Sequence, residues 1–135
     1  MTKRYTGSCL CGQVTFDTTG FSDQVAACHC TMCRKFHGAA FGTLVAVQGL
    51  RWNSGENLLK DYRGANGTVR TFCSNCGSSL AFRVAGADKD RMEIAIACFD
   101  EELPVKVDVH IYTGYKAAWY DPPENIPNCP EGRGS

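Results

Sequence analysis

Three cysteines within six residues, Cys28-His29-Cys30-Thr31-Met32-Cys33, followed at once by Arg34 and Lys35, constrain this chain more than any other stretch. Cysteine binds zinc as thiolate at about 2.3 Å, and a tetrahedral ion can take several ligands from one tight loop. Three thiolates leave one corner open. An open corner separates a catalytic zinc from a closed structural one, provided the other cysteines are engaged elsewhere.

Two further pairs flank the triad: Cys9-Leu10-Cys11-Gly12 and Cys73-Ser74-Asn75-Cys76-Gly77. Together they make one closed four-thiolate set, so seven of the nine cysteines divide as four plus three and Cys98 and Cys129 stand apart. Spacing also permits a zinc ribbon of Cys30, Cys33, Cys73 and Cys76, although residues 34–72 between those pairs exceed the roughly 15 to 20 usual for that motif. Both partitions stay open on spacing.

The 135 residues are read as one domain, 1–135, with a Pro-rich C-terminal arm, 121–135, that carries Pro122, Pro123, Pro127 and Pro130. Lys and Arg total 14 against 14 acidic residues, so no global positive field favours nucleic acid. An odd number of cysteines at metal-ligand spacings points to a reducing compartment. No apolar run resembles a signal peptide or a membrane span, and the expectation is a soluble, cytoplasmic protein with no membrane partner. The pattern fixes no oligomeric state.

Helical periodicity is nearly absent, and the chain reads as mainly β. Residues 13–18 alternate Val14 and Phe16 with polar neighbours, the mark of a half-buried strand. Residues 25–27 lead into the triad, which places the first thiol at a strand end. Residues 31–36 fit a helical turn stopped by Gly38. Residues 39–47 read as a buried strand, residues 50–52 and 58–63 as two more, and Ala65-Asn66-Gly67 as a tight hairpin leading into 68–72. Residues 80–84 and 92–99 form a second expected hairpin. Val105, Val107, Val109 and Ile111 alternate with Lys106, Asp108, His110 and Tyr112, giving a strand with one apolar and one polar face.

Single residues follow from these placements. His29 lies between two ligands, where alternation sends its ring away from the metal. His37 reads as a surface residue, and His110 sits on the polar face of its strand. Cys98 shares a face with Met92, Ile94 and Ile96 and reads as a small buried hydrophobe. Cys129, between prolines, reads as an exposed thiol. Trp119 and Tyr120 are expected to anchor the arm to the sheet, and Gly132-Arg133-Gly134-Ser135 to be mobile.

Gly7-Ser8-Cys9-Leu10-Cys11-Gly12, the triad with Arg34-Lys35, Phe72-Cys73-Ser74-Asn75-Cys76-Gly77 and His110-Ile111-Tyr112 together resemble the glutathione-dependent formaldehyde-activating enzyme (GFA) family, which also includes centromere protein V. The resemblance covers nearly the whole chain. It implies the β-tent (Mss4-like) architecture of zinc-stabilised sheets and two Zn2+ per chain. It assigns a structural zinc to Cys9, Cys11, Cys73 and Cys76, and a more labile zinc at the proposed active site to Cys28, Cys30 and Cys33. The implied activity is that of a carbon-sulfur lyase, reversibly joining glutathione or a similar thiol to formaldehyde or another aldehyde as an S-hydroxyalkyl adduct. Three thiolates on Zn2+ leave a net charge of minus one, which suits a sulfur ligand better than hydroxide. Arg34, Lys35 and Lys116 are then candidates to meet the carboxylates of glutathione. A non-catalytic binding module with two structural zinc sites is the alternative.

Overall fold

The computed structural model describes residues 3–135. In chain order its elements are β1 (Tyr5–Ser8), β2 (Thr15–Thr18), β3 (Gly20–Phe21), β4 (Val25–Cys28), α1 (Thr31–His37), β5 (Gly42–Gln48), β6 (Arg51–Ser54), β7 (Leu59–Arg63), β8 (Val69–Cys73), β9 (Ser79–Arg83), β10 (Glu93–Ala95) and β11 (Val107–Ile111). Three short 3-10 turns complete the described elements, so the chain is mainly β, as its alternation predicts. None of the described helices is long and apolar enough to cross a membrane. The residues group into two compact units, one formed by the described residues up to Ser22 with Val45–Pro104, the other by Asp23–Leu44 with Val105–Ser135.

In the first unit, β1 pairs antiparallel with β2 and β2 with β6, while β7, β8, β9 and β10 pair antiparallel in sequence. Phe16 on β2 is 1% exposed and meets the edges of Trp52 and Phe99 at ring-centroid distances of 5.6 and 5.3 Å. Gly7 on β1 makes room for that ring, because a Cβ there would stand 2.2 Å from Phe16 Cζ. The expected Asn-Gly hairpin joins β7 to β8, with Asn66 Oδ1 accepting from the Thr68 amide at 3.1 Å. The second expected hairpin is cut short. Residues 96–98 turn as a 3-10 helix closed by the Phe99 amide on the Ile96 carbonyl, and this turn delivers Phe99 to Phe16.

One ionic cluster in this unit escaped the sequence reading. Asp17 is 4% exposed and accepts from Arg4 Nε at 2.6 Å, Arg51 Nε at 3.1 Å and Asn53 Nδ2 at 3.1 Å. Burial alone would raise its carboxyl; hydrogen bonds from Asn53, Arg4 and Arg51 outweigh it and hold the group below the usual range. Asp17→Asn is expected to cost about 2 kcal/mol, less than the roughly 3–5 kcal/mol of a fully buried broken pair because the Arg51 side chain is 60% exposed. A carboxyl depressed in the folded state contributes fully above its unfolded pKa of about 4 and loses its contribution as pH falls further. Urea unfolding at pH 7 and pH 3 should therefore show the gap between wild type and Asp17→Asn closing at the lower pH; a constant gap excludes the ionic account.

In the second unit, β4 pairs parallel with β11 and antiparallel with the first residues of β5. α1 follows β4 after two residues. Its N-cap is Cys30, whose sulfur accepts from the Cys33 amide, and its C-cap is Gly38 at φ +62°. The amides of Gly38 and Ala39 both return to the Arg34 carbonyl. This capping occupies residues that the apolar run had suggested were strand, so β5 begins at Gly42 instead of residue 39.

The C-terminal arm lies along β11. His110 donates its amide to Pro127 O, Cys129 to His110 O and Tyr112 to Glu131 O. Three expectations change with it. The Cys129 thiol is buried at 6% exposure instead of exposed, the last residues are tied by an Arg133–Asp108 ion pair, and His110 is buried at 3% because ring and arm cover what alternation marked as a polar face.

Candidate metal centres

The four-cysteine set is assembled by two backbone reversals of the same design. In the first, the Gly12 amide donates to Cys9 O and the Cys9 amide to Val14 O; in the second, Gly77 donates to Cys73 O and Cys73 to Ser78 O. Gly12 and Gly77 sit at φ +79° and +80°, which only glycine adopts without strain. The reversals are stitched together by the Leu10 amide on Ser78 Oγ at 2.7 Å. All four sulfurs lie within 4.8 Å of one another. Cys9–Cys11 and Cys11–Cys73 are 3.5 and 3.9 Å apart, close to the edge of about 3.8 Å that a zinc tetrahedron with 2.3 Å bonds requires.

Charge within this cluster is divided. The Ser78 hydroxyl, foremost among several hydrogen bonds, pulls the Cys76 thiol down to about 5, and a hydrogen bond from Asn75 leads the lowering of Cys11. Burial pushes Cys73 up to about 11. Hydrogen bonds thus favour the thiolate at Cys76 and Cys11 while burial opposes it at Cys73, a combination that a dication at the centre would reconcile. Cys98 remains outside: it is half-buried, donates to Ser79 O at 3.4 Å, and burial raises it to about 11.

The second group is Cys28, Cys30 and Cys33, whose sulfurs also lie within 4.8 Å of one another. Cys28 ends β4, as expected, Cys30 caps α1, and Cys33 faces inward from its first turn. Contacts with the Cys30 and Cys33 thiols, then burial, push Cys28 strongly upward. Three such thiols ionise together only with a cation among them, and an all-sulfur donor set suits zinc. Among the described residues, no fourth Cys, His, Asp or Glu joins them. The geometry favours the division into four plus three over the ribbon.

His29, between two of these ligands, turns away from them. Its ring is fully buried, its Nε2 lies 2.8 Å from His110 Nδ1, and Phe41 and Tyr120 pack around it at ring-centroid distances of 5.0 and 6.0 Å. Burial first, then the charges of His110, Lys116 and Arg34, lowers His29 to about 4, so the ring is neutral at physiological pH. Burial likewise lowers His110. Sequence alternation placed His29 correctly but carried no signal that His110, 81 residues away, would be its partner.

The three cations suggested by sequence differ in their engagement. Arg34 donates through Nη1 to Tyr115 O at 2.9 Å and has no carboxylate partner among the described residues. Lys35 is exposed with no such partner either. Lys116 is held by Asp121 Oδ1 at 3.2 Å and Tyr120 O at 3.3 Å. Tyr120 packs inward as expected, whereas Trp119 is 71% exposed and stands mostly in solvent.

The chain is similar to known proteins in sequence and in fold. The family described as glutathione-dependent formaldehyde-activating enzyme matches residues 4–115. A curated relative, an uncharacterized lyase of Schizosaccharomyces pombe, is 31% identical over 78 residues, 58% of this chain and 56% of that protein, so the match spans little more than half of the relative's length. A solved Rhodobacter sphaeroides protein shares the fold with a TM-score of 0.59 at 22% identity, covering 73% of this chain and 91% of that one.

Proposed function

The chain belongs to the glutathione-dependent formaldehyde-activating enzyme family, and from that premise we propose that it is a zinc-dependent carbon-sulfur lyase acting on the adduct of glutathione, or a similar thiol, with an aldehyde. The observation that supports this reading is the second cysteine group, which offers three candidate ligands and, among the described residues, no fourth, whereas the first offers four. Cys28, Cys30 and Cys33 would hold the catalytic zinc, and Cys9, Cys11, Cys73 and Cys76 the structural one. Zinc at the triad would supply Lewis acidity and a place for a sulfur in its thiolate form.

In the synthetic direction a carbon–sulfur bond forms between the thiol sulfur and the carbonyl carbon, the carbonyl π bond breaks, and the thiol proton ends on the new hydroxyl oxygen. Lysis reverses these changes. The chain's contribution is largely placement, because the addition already proceeds in water and holding two reactants together removes much of the barrier. The buried His29–His110 pair packs with Phe41 and Tyr120 beside the Cys28–Cys30 segment. Such packing keeps the ligands from relaxing outward.

Exchange spectroscopy on glutathione with formaldehyde reads the interconversion rate directly. The zinc-loaded protein is expected to accelerate it at least tenfold over buffer, and removal of the labile zinc by a mild chelator to return it to the buffer rate. An unaccelerated rate with both sites filled would overturn the proposal and favour a non-catalytic zinc module.

A further inference from the structure

A cavity of about 350 Å³ lies wholly within the first unit and is lined by no cysteine. Three neighbouring strands build its sheet side. Asp61 on β7 faces Thr71 on β8 in register, and Arg83 comes from β9. The Thr71 hydroxyl donates to Asp61 Oδ1 at 2.6 Å, while Asp61 Oδ2 lies 3.6 Å from Arg83 Nη2. That separation exceeds the roughly 2.7–2.9 Å of a closed charge-assisted hydrogen bond. The Arg83 side chain is only 11% exposed, and among the described residues its guanidinium has no other ion pair and no hydrogen bond. A guanidinium this buried, with its donors unengaged, calls for an anionic acceptor.

The remaining walls say what that acceptor is attached to. Leu50, Trp52 and Met92 give an apolar side, Glu56 and Asp90 add carboxylates to that of Asp61, and Lys89 adds a cation to Arg83. Three acids therefore face two bases. A simple anion would meet surplus negative charge, and a simple cation would leave the Arg83 donors without an acceptor. We propose that this cavity binds a free α-amino acid with an apolar side chain, a ligand class separate from the thiol and the aldehyde. Such a ligand carries carboxylate and ammonium on one carbon, with about 2.5 Å between the carboxyl carbon and the nitrogen. The carboxylate accepts from Arg83 and the ammonium donates to Asp61 Oδ2, bridging two charges that stand too far apart to close on each other. Thr71, 3% exposed, holds Asp61 in place for this contact. The apolar side chain lies against Trp52 and Met92. The volume is at the small end of the roughly 300–1,000 Å³ of small-molecule sites. Peptide termini fit less well, because each carries only one of the two charges.

Calorimetry on the zinc-loaded protein with L-phenylalanine, N-acetyl-L-phenylalanine and L-phenylalaninamide tests the site. L-Phenylalanine is expected to bind at least about tenfold more tightly than either analogue, each of which lacks one charge. Millimolar glutathione should leave that binding unchanged. Arg83→Gln should weaken L-phenylalanine about ten- to a hundredfold and erase its advantage over the amide. Glu56→Gln combined with Asp90→Asn, both on exposed residues, should weaken it about three- to tenfold without weakening N-acetyl-L-phenylalanine. This second variant keeps the test decisive if Arg83→Gln does not fold. No saturable binding of L-phenylalanine, displacement by glutathione, or unaltered affinity in the folded variants would overturn the site. N-acetyl-L-phenylalanine binding as tightly as the amino acid would mark a site for anions and overturn the assignment to a zwitterion.

Discussion

Cys73→Ser is expected to leave the protein unfolded and largely insoluble, with or without added zinc. Cys73 is fully buried, and its sulfur belongs to a cluster that joins the reversal after β1 to the reversal after β8, residues far apart in sequence. Apparent zinc binding free energies in small metallodomains are about 10–16 kcal/mol and appear as folding free energy. Whole domains are stable by only about 5–15 kcal/mol. If the four thiolates hold the structural zinc proposed above, losing even part of that term removes the native state. Far-UV circular dichroism and the soluble fraction after expression check it; a soluble Cys73→Ser protein with an unchanged thermal transition would show that the four-thiolate site does not hold the fold.

The second large effect belongs to Cys30→Ser and runs in the opposite sense. Serine is itself a good N-cap, so α1 keeps its start while the zinc proposed at the triad would lose one of its three ligands. The protein is expected to fold, to lose the triad zinc and to fall about a thousandfold in turnover, the several kcal/mol that metal polarisation supplies. Glutathione should raise the melting temperature of the two-zinc wild type by mass action, with S-methylglutathione raising it less. That difference should disappear in Cys30→Ser. If Cys30→Ser proves less soluble than Cys73→Ser, the structural and catalytic assignments exchange places.

Local signals carried the two cysteine clusters and most strands. Cysteine spacing with glycine at the reversals brings Cys9, Cys11, Cys73 and Cys76 together as two similar hairpins, and the end of α1 at Gly38 follows from a backbone angle that side chains resist. What sequence left out depends on contacts between distant segments. Alternation gives His110 a face but not the arm that covers it, and Cys129 is buried because residues near the C-terminus hydrogen-bond to β11, a pairing with no periodic mark. Asp17 has two arginine partners, Arg4 and Arg51, that only the folding of β1 against β2 and β6 brings near. Trp119 failed as an anchor for a similar reason: its neighbour Tyr120 takes the inward position beside Phe41.

The two tryptophans of the chain, Trp52 and Trp119, fall one in each compact unit. Trp52 rests edge-on to the buried Phe16 ring, while Trp119 stands mostly in solvent. Their emission should differ in colour and in access to an aqueous quencher, so the protein comes with a separate optical reporter for each half. A single unlabelled sample, watched at two wavelengths through a denaturant series, would reveal whether the halves lose structure as one body or in turn.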